Sequence, residues 1–425
     1  MQVSQQLAAQ AVGQVLDGRN LSVVLETLFQ QHPHITPQQR AVSQDLAYGT
    51  LRFYSRLEAL LQQLLQKPLT EAFIHHLLLV SLYQLAYDKA GAHTVVNQAV
   101  LAAAKTKKSW AKGLVNAVLR NFLRQRDALE QKLANNQVAQ YSYPQWWINK
   151  LKQQYPDHWA SMLEAGNQHP PMTLRVNRRH SDADHYLQQL QAADLPAQAL
   201  DAQAIMLEHA VPVSRLPGFE QGHASVQDWG AQFAALELDA KDGMRVLDAC
   251  CAPGGKTGHV LELADVHMTA MDNDAKRLQR VQQNLDRLGL QANLVQGDAS
   301  TPDAWWDGQP YDRILADVPC TASGIVRRHV DIKWLRREQD IAAFAEQQRV
   351  ILQGLWRLLA KGGKLLYVTC SVFHEENQQQ IAQFLRSQPD ARLLPLKHDA
   401  LQSNQGQLLP GTHHDGFFYA LLQKV

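Results

Sequence analysis

Two cysteines in the second half of the chain stand at the ends of predicted strands, where reactive groups are accessible. Cys320 follows an apolar run that ends at Asp317, and Cys370 lies in Val368-Thr369-Cys370-Ser371. A thiolate is strongly nucleophilic and leaves readily, which suits reversible addition to C6 of a pyrimidine. These grounds leave open which of the two cysteines attacks.

Asp317 is the acid nearest to Cys320 in the sequence. Its carboxyl would reach the pyrimidine N3, where a hydrogen bond or a proton makes C6 more electrophilic. We expect burial to hold this carboxyl partly neutral. The predicted catalytic residues are therefore Cys370, Cys320 and Asp317.

A glycine-containing loop follows another predicted strand, which ends near Asp248. A phosphate-binding loop would need a glycine at Cys250, so that type of site is excluded. An acid at a strand end followed by a glycine pair fits the nucleoside and amino-acid ends of S-adenosylmethionine. Lys256 would pair with Asp317 or contact phosphate. The cofactor-binding residues predicted in this loop are Ala249, Cys250, Cys251, Ala252, Pro253, Gly254, Gly255 and Lys256.

Further acids follow the next two predicted strands. Asp272 is placed to accept hydrogen bonds from both hydroxyls of a ribose, and Asp274 is interpreted as a helix N-cap. Asp298 is predicted to bind the exocyclic amine of an adenine. Asp317 completes the predicted cofactor-binding set.

The second half alternates apolar strands with helices. Such alternation predicts a doubly wound, mostly parallel α/β sheet of Rossmann-like type, in which ligands bind at the carboxyl ends of the strands. The helices stand out at residues 276–288 and 340–358. The predicted strands are 245–248, 267–272, 292–296, 313–317, 364–370 and 417–422.

The whole chain is predicted to be multidomain. Residues 1–140 show helical periodicity, which predicts an all-α domain of about six helices, one of them capped by Thr36 and Pro37. The helical periodicity gives way to a mixed pattern in residues 141–235, which predicts a small α+β domain with a strand at 173–177. Residues 236–425 form the α/β domain.

The net charge of +1 conceals an uneven distribution. Residues 1–140 hold 14 basic and 8 acidic side chains, and the segment 105–126 contains basic residues but no acidic one. Such a cluster predicts binding to phosphate backbones, although a solvated helix face is the alternative. The predicted RNA-binding residues are Lys105, Lys107, Lys108, Lys112, Arg120 and Arg124.

The composition excludes several classes of protein. Hydrophobic residues make up 45% and charged residues 19% of the chain, which is typical of globular proteins. No apolar run approaches the roughly 18 residues of a membrane span. Four cysteines without CxxC spacing predict neither a disulfide framework nor a metal site, and favour a cytoplasmic location.

These motifs resemble those of the bacterial 16S rRNA cytosine-C5 methyltransferases, within the wider RNA m5C methyltransferase family. The catalytic similarity lies in Ala252–Lys256, Asp317–Cys320, Thr369–Ser371 and Asp415–Phe418. One departure is Cys251, where the family usually has alanine. The N-terminal part is similar to the antitermination factor NusB. That similarity lies in residues 46–52, 82–85 and 112–120.

The resemblance implies roles that spacing alone leaves open. In this family the cysteine of the Thr-Cys-Ser motif, here Cys370, bonds to C6, and the Pro-Cys cysteine, here Cys320, assists breakdown of the adduct. S-adenosyl-L-methionine is the implied cofactor. The implied partner is 16S rRNA, unassembled or at an early assembly stage, with cytosine 967 as the family target. We expect a monomer that binds no membrane.

Two other functions remain open from the sequence. A tRNA-directed cytosine-C5 methyltransferase would share the catalytic half, although the NusB-like domain disfavours it. A non-catalytic NusB-like RNA-binding factor is the other alternative, which the intact Cys320, Cys370 and Asp317 disfavour.

Overall fold

The structure is a computed structural model that describes residues 1–87, 90–106, 108 and 110–425. The chain divides into two compact units. The first comprises Met1–Gln168 and Val326–Glu338, and the second comprises His169–Ile325 and Gln339–Val425. The domain boundaries at residues 140 and 235 remain predictions from the sequence.

The first unit is helical throughout its described residues. Thr36 caps the third helix through a capping box with Gln39, and Pro37 occupies the first turn, as predicted. The described residues up to Tyr141 contain eight helices, so the expected number was too low. One reason is that Ala72–Tyr87 is apolar on all sides and shows little periodicity. The helices are α1 (Gln2–Leu16), α2 (Leu21–Gln31), α3 (Pro37–Arg52), α4 (Tyr54–Leu64), α5 (Ala72–Tyr87), α6 (Ala92–Ala104), α7 (Ala111–Lys132), α8 (Gln137–Tyr141), α9 (Gln145–Gln154) and α10 (Trp159–Gly166).

The segment Val326–Glu338 belongs to the helical unit although it lies far along the sequence. Lys333 is fully buried, and its Nζ donates to the carbonyl oxygens of Arg52 (2.8 Å) and Ser142 (3.0 Å) and to Oδ1 of Asn167 (2.8 Å). Burial lowers the pKa of this ammonium. The sequence did not indicate that this segment completes the helical unit.

The second unit begins with a small antiparallel sheet, in agreement with the predicted α+β region. Its strand order is β2-β3-β1-β4, and one helix covers it. The elements are β1 (Met172–Val176), α11 (Ala183–Ala192), β2 (Ala197–Ala199), β3 (Ala204–Leu207) and β4 (Ala224–Val226).

The rest of the second unit is a Rossmann-like layer of mixed strands, as predicted. The order is β10-β12-β9-β8-β5-β6-β7, in which β9-β8-β5-β6-β7 are parallel, β12 is antiparallel to β9, and β10 and the short β11 are antiparallel to β12. The elements are α12 (Trp229–Leu238), β5 (Arg245–Ala249), α13 (Gly255–Leu263), β6 (His267–Asp272), α14 (Ala275–Leu288), β7 (Asn293–Gln296), β8 (Tyr311–Asp317), α15 (Ile332–Leu335, in the helical unit), α16 (Asp340–Leu358), β9 (Leu359–Thr369), α17 (Gln378–Ser387), β10 (Ala391–Leu394), α18 (Asp399–Gln402), β11 (Gln407–Leu408) and β12 (Phe417–Lys424).

Successive residues of the strands pack into two hydrophobic cores, one on each face of this sheet. Val246 and Val368 pack with the residues of α12, α13 and α14, whereas Leu247 and Tyr367 pack with those of α16 and α17. Both faces are therefore covered, and the strand ends are the accessible edge. None of the described helices is long and apolar enough to cross a bilayer.

Candidate active site

The register of the parallel strands brings the predicted catalytic residues together. Asp317 at the end of β8 is paired with Val368 of β9, so the segments that follow these strands leave the sheet side by side. Sγ of Cys320 lies 3.3 Å from Sγ of Cys370. The two thiols, 50 residues apart in sequence, form one pair.

The two thiols are in different environments. Cys320 is buried, whereas Cys370 is partly exposed. The hydrogen bond with Cys370, together with burial and the nearby charge of Glu376, raises the pKa of the Cys320 thiol. Cys320 is therefore placed to donate its S–H to the neighbouring sulfur, and Cys370 is the more accessible of the two thiols.

Lys256 and Asp317 form an ion pair beside the thiols. The Lys256 Nζ is 2.7 Å from Oδ2 of Asp317, so of the two predicted contacts of Lys256 the ion pair is observed. Burial acts to lower the pKa of Lys256, but the charge and hydrogen bond of Asp317 outweigh it and raise the pKa. The Asp317 side chain is 30% exposed, so its burial is less complete than the sequence led us to expect.

The predicted cofactor loop makes a tight turn from β5 into α13. The turn needs positive φ at Cys250 (66°) and Gly254 (94°), and a Cβ at Gly254 would lie 3.1 Å from the Val281 side chain. The amide of Cys251 donates to the carbonyl of Met271 in β6, 2.9 Å away. Burial raises the pKa of both loop thiols, Cys250 and Cys251, which makes them poor nucleophiles at neutral pH.

Arg175 supports this loop from the small sheet, a role that the sequence did not reveal. Its guanidinium is fully buried, forms a two-point ion pair with Glu262 (2.6 and 2.8 Å) and donates to the carbonyl of Gly255 (2.8 Å). A buried pair of this kind fixes orientation, because removing one partner leaves an uncompensated charge.

The acids predicted to hold the nucleoside occupy successive strand ends. Asp272 is buried and accepts from the amides of Ala252 (3.2 Å) and Asp274 (3.1 Å), which fixes its carboxylate at the loop. Asp274 caps α14 through the amides of its first turn, in agreement with its predicted role. Asp298 is exposed and accepts from Ser300. Their cofactor contacts remain predictions.

Asp248 supplies a buried acceptor that none of the described residues satisfies. Its Oδ2 accepts from Thr257 (2.6 Å), while Oδ1 has no hydrogen-bond partner in the part of the chain that the structure describes. Burial raises the pKa of Asp248 to about 7. An orphaned acceptor beside a tight turn with positive φ at Gly254, at the end of β5, fits the polar ends of S-adenosylmethionine.

Because the folded state raises this pKa, Asp248 should favour folding at low pH. The contribution is present below the ordinary carboxyl pKa and is lost as the pH rises to about 7, by about 4 kcal/mol in total. Between pH 4 and pH 8, the unfolding free energy of Asp248→Asn should therefore rise relative to the natural protein by that order.

Denaturant unfolding without cofactor at the two pH values measures this difference. Asp286→Asn, at an exposed position of α14, controls for loss of one charge. An Asn variant whose stability follows that of the natural protein at both pH values would contradict the prediction.

The predicted RNA-binding residues separate into groups. Lys112, Arg120 and Arg124 are exposed and, with Asn116 between them, repeat at i, i+4 along one face of α7.

Two of the other predicted RNA-binding residues do not lie on this face. Lys108 is paired with Glu71, and Lys105 lines a different depression of the helical unit. Lys107 lies outside the described residues.

A groove of about 830 Å³ runs beside this face of α7. Arg120, Arg124 and Lys67 line it together with Trp110, whose side chain is 46% exposed. Trp110 was missed from the sequence, although its place within the basic segment is a signal for base stacking.

Comparison with protein families covers most of the chain. A family model described as "16S rRNA methyltransferase RsmB/F" matches residues 235–423. A ferredoxin-like domain of RsmF/B-like methyltransferases matches residues 143–214, and the NusB family model matches residues 2–124.

Relatives matched over nearly their full length support this family assignment, and solved structures share the fold. The chain is 44% identical to ribosomal RNA small subunit methyltransferase B of Serratia proteamaculans, over 99% of this chain and 98% of the relative. The crystal structure of PH0851 has a TM-score of 0.80 at 23% identity, covering 100% of this chain and 99% of that one. A methyltransferase homologue from Pyrococcus horikoshii has a TM-score of 0.59 at 26% identity, covering 68% and 97%.

Proposed function

Since the chain belongs to the RsmB/F family of 16S rRNA methyltransferases, we propose that it methylates C5 of a cytosine in 16S rRNA through a covalent Cys370–C6 adduct. The observation that carries this proposal is the thiol pair at the ends of β8 and β9, with Lys256 and Asp317 beside it. As a member of this family the enzyme uses S-adenosyl-L-methionine. Cytosine 967 is the proposed target, and the cytoplasm is the proposed location.

The mechanism assigns a separate task to each side chain. The target base leaves the RNA stack, since the ring cannot be reached within a duplex. The Cys370 thiolate, stabilised by the S–H of Cys320, bonds to C6, and the electron pair of the C5–C6 bond moves towards N3. Asp317 accepts from the cytosine amino group, and the Lys256 ammonium supplies the positive charge that stabilises N3.

The later steps restore the aromatic ring. When bound, S-adenosylmethionine supplies the methyl group that C5 accepts. A base then removes the C5 proton, the C5–C6 double bond forms again, and the Cys370 sulfur leaves as a thiolate. Cys320 assists this elimination by donating its S–H to the leaving sulfur, so that no free thiolate is left uncompensated.

The direct test is transfer of a tritiated methyl group from S-adenosylmethionine to bare 16S rRNA and to tRNA, followed by mapping of 5-methylcytosine. We expect incorporation into 16S rRNA at one cytosine. Incorporation into tRNA alone would favour the tRNA-directed enzyme, and none into either RNA would favour a non-catalytic factor.

Asp317→Asn should lower the rate of methyl transfer about 100-fold in single-turnover experiments, because the amide carries no charge to pair with Lys256 and donates where the carboxylate accepts. Asp303→Asn, at an exposed ion pair with Arg357, is the matched control. A rate within threefold of the natural enzyme would remove Asp317 from the mechanism.

We also propose that the groove beside α7 binds RNA, with Trp110 stacking on a base and Arg120 and Arg124 contacting phosphates. The double variant Arg120→Gln/Arg124→Gln should bind 16S rRNA fragments roughly tenfold more weakly. The slope of log K against log salt should flatten by about 1.4, since about 0.7 counterion is released per single-strand phosphate contact.

Fluorescence anisotropy across a salt series measures both quantities. Arg386→Gln/Arg392→Gln removes the same charge from exposed positions of α17 and β10 and serves as the control. An equal loss of affinity in the two double variants would show that the groove has no specific part in RNA binding.

A further inference from the structure

A buried carboxylate joins the two loops that carry the thiols. Glu376, in the segment between β9 and α17, has no exposed surface. Its Oε1 accepts from the backbone amide of Thr321 at 2.8 Å, and its Oε2 accepts from the Thr321 hydroxyl at 2.5 Å and from the Ser371 hydroxyl. Thr321 directly follows Cys320, and Ser371 directly follows Cys370.

Two further side chains, Gln348 and Tyr367, connect Glu376 to the same two loops. Gln348 of α16 donates to Oε1 of Glu376 (3.0 Å) and to the carbonyl of Pro319 (2.9 Å), which precedes Cys320. The hydroxyl of Tyr367 in β9 has one proton to donate, and it lies 3.1 Å from Oε1 of Gln348 and 2.8 Å from the carbonyl oxygen of Glu376. The four donors to Glu376 match the roughly four lone-pair sites of an ionised carboxylate.

We infer that Glu376 is a positioning residue, which holds the Cys320 loop against the Cys370 loop and so sets the separation of the two thiols. The inference rests on the proposed function, because that function gives the separation of the two thiols its catalytic importance. The contacts of Glu376 with Thr321 and Ser371, which we call the clamp, involve no substrate. Glu376 contacts neither sulfur by a hydrogen bond in the described structure, and it acts through Thr321 and Ser371.

A glutamine could take the place of this carboxylate only if the hydroxyls of Thr321 and Ser371 turned from donating to accepting. One amide oxygen can still accept from the Thr321 amide and from Gln348, but the amide nitrogen then faces two hydroxyls that donate in the natural protein. The negative charge that contributes to keeping Cys320 protonated is also lost. The Cys320 loop should consequently loosen, and its thiol should become more reactive.

Alkylation by iodoacetamide tests the clamp without RNA or cofactor. We expect Glu376→Gln to raise the rate of Cys320 modification about tenfold, followed site by site with peptide mass spectrometry. Thr321→Val, which keeps the backbone donor and loses the hydroxyl, should raise it about threefold. Glu346→Gln, which removes an exposed carboxylate of α16 paired with Arg349, should leave it unchanged.

Turnover gives the second readout. In Glu376→Gln, kcat should fall about tenfold while the KM for S-adenosylmethionine stays within twofold, because the clamp lies at the thiols and not at the cofactor loop. The combined Thr321→Val/Glu376→Gln variant should lose less than the product of the single effects, since both changes break the same contact.

The outcomes separate the clamp from the proposed function. Unchanged Cys320 alkylation in both folded variants would overturn the positioning role, whatever the turnover result. If Glu376→Gln does not fold, the rate of Cys320 alkylation in Thr321→Val tests the positioning role by itself. Increased alkylation together with methyl transfer that needs neither thiol would keep the clamp and overturn the proposed mechanism.

Discussion

Cys370→Ala is expected to lower methyl transfer by about 10⁴-fold or more and to abolish the covalent protein–RNA adduct. The thiol is the only group in the proposed mechanism that bonds to C6, and without this bond C5 of cytosine is too weak a nucleophile to accept a methyl group. Removing a nucleophile leaves only the catalysis that binding and positioning provide. Single-turnover methyl transfer and denaturing gels measure the two effects.

Ser387→Ala is the control, because it also removes one small polar group but at an exposed position of α17 outside the predicted site. It should keep near-natural activity. A Cys370→Ala variant that still forms an adduct would assign the attack to Cys320. One that methylates at a near-natural rate without an adduct would overturn covalent catalysis.

Cys320→Ala is expected to stop multiple turnover and to accumulate the covalent RNA adduct. The 3.3 Å contact lets the Cys320 thiol donate to the sulfur of Cys370, which stabilises the leaving thiolate during elimination. Without that donor, addition and methylation proceed but release slows. A band of retarded mobility on a denaturing gel, sensitive to ribonuclease, would report the trapped species.

The same experiment with Cys320→Ala/Cys370→Ala should yield no such band, because the attacking sulfur is also gone. Absence of an adduct in Cys320→Ala under turnover conditions, with cofactor and RNA bound, would reject the separate tasks of the two thiols. An adduct in the double variant would show that another residue attacks.

Much of the site could be predicted from the sequence, because the end of each strand is marked by a polar motif that follows an apolar run. The motifs at Asp248, Asp272, Asp317 and Cys370 each follow an apolar run, and the parallel topology places such ends at one edge of the sheet. The capping role of Asp274 was predictable too, since an N-cap depends on residues within one turn. Local rules sufficed wherever the interacting residues are neighbours in the chain.

The sequence by itself determined the residue types, the fold class and the ends of the strands that hold the chemistry. Only the tertiary structure decided the partners: Lys256 with Asp317, Arg175 with Glu262, and Glu376 with the two cysteine loops. It also decided that Lys333 completes the helical unit from a segment more than 150 residues away from the rest of that unit. The physical reason is that hydrogen bonds and ion pairs between distant segments depend on strand register and packing, which leave no periodic trace along the chain.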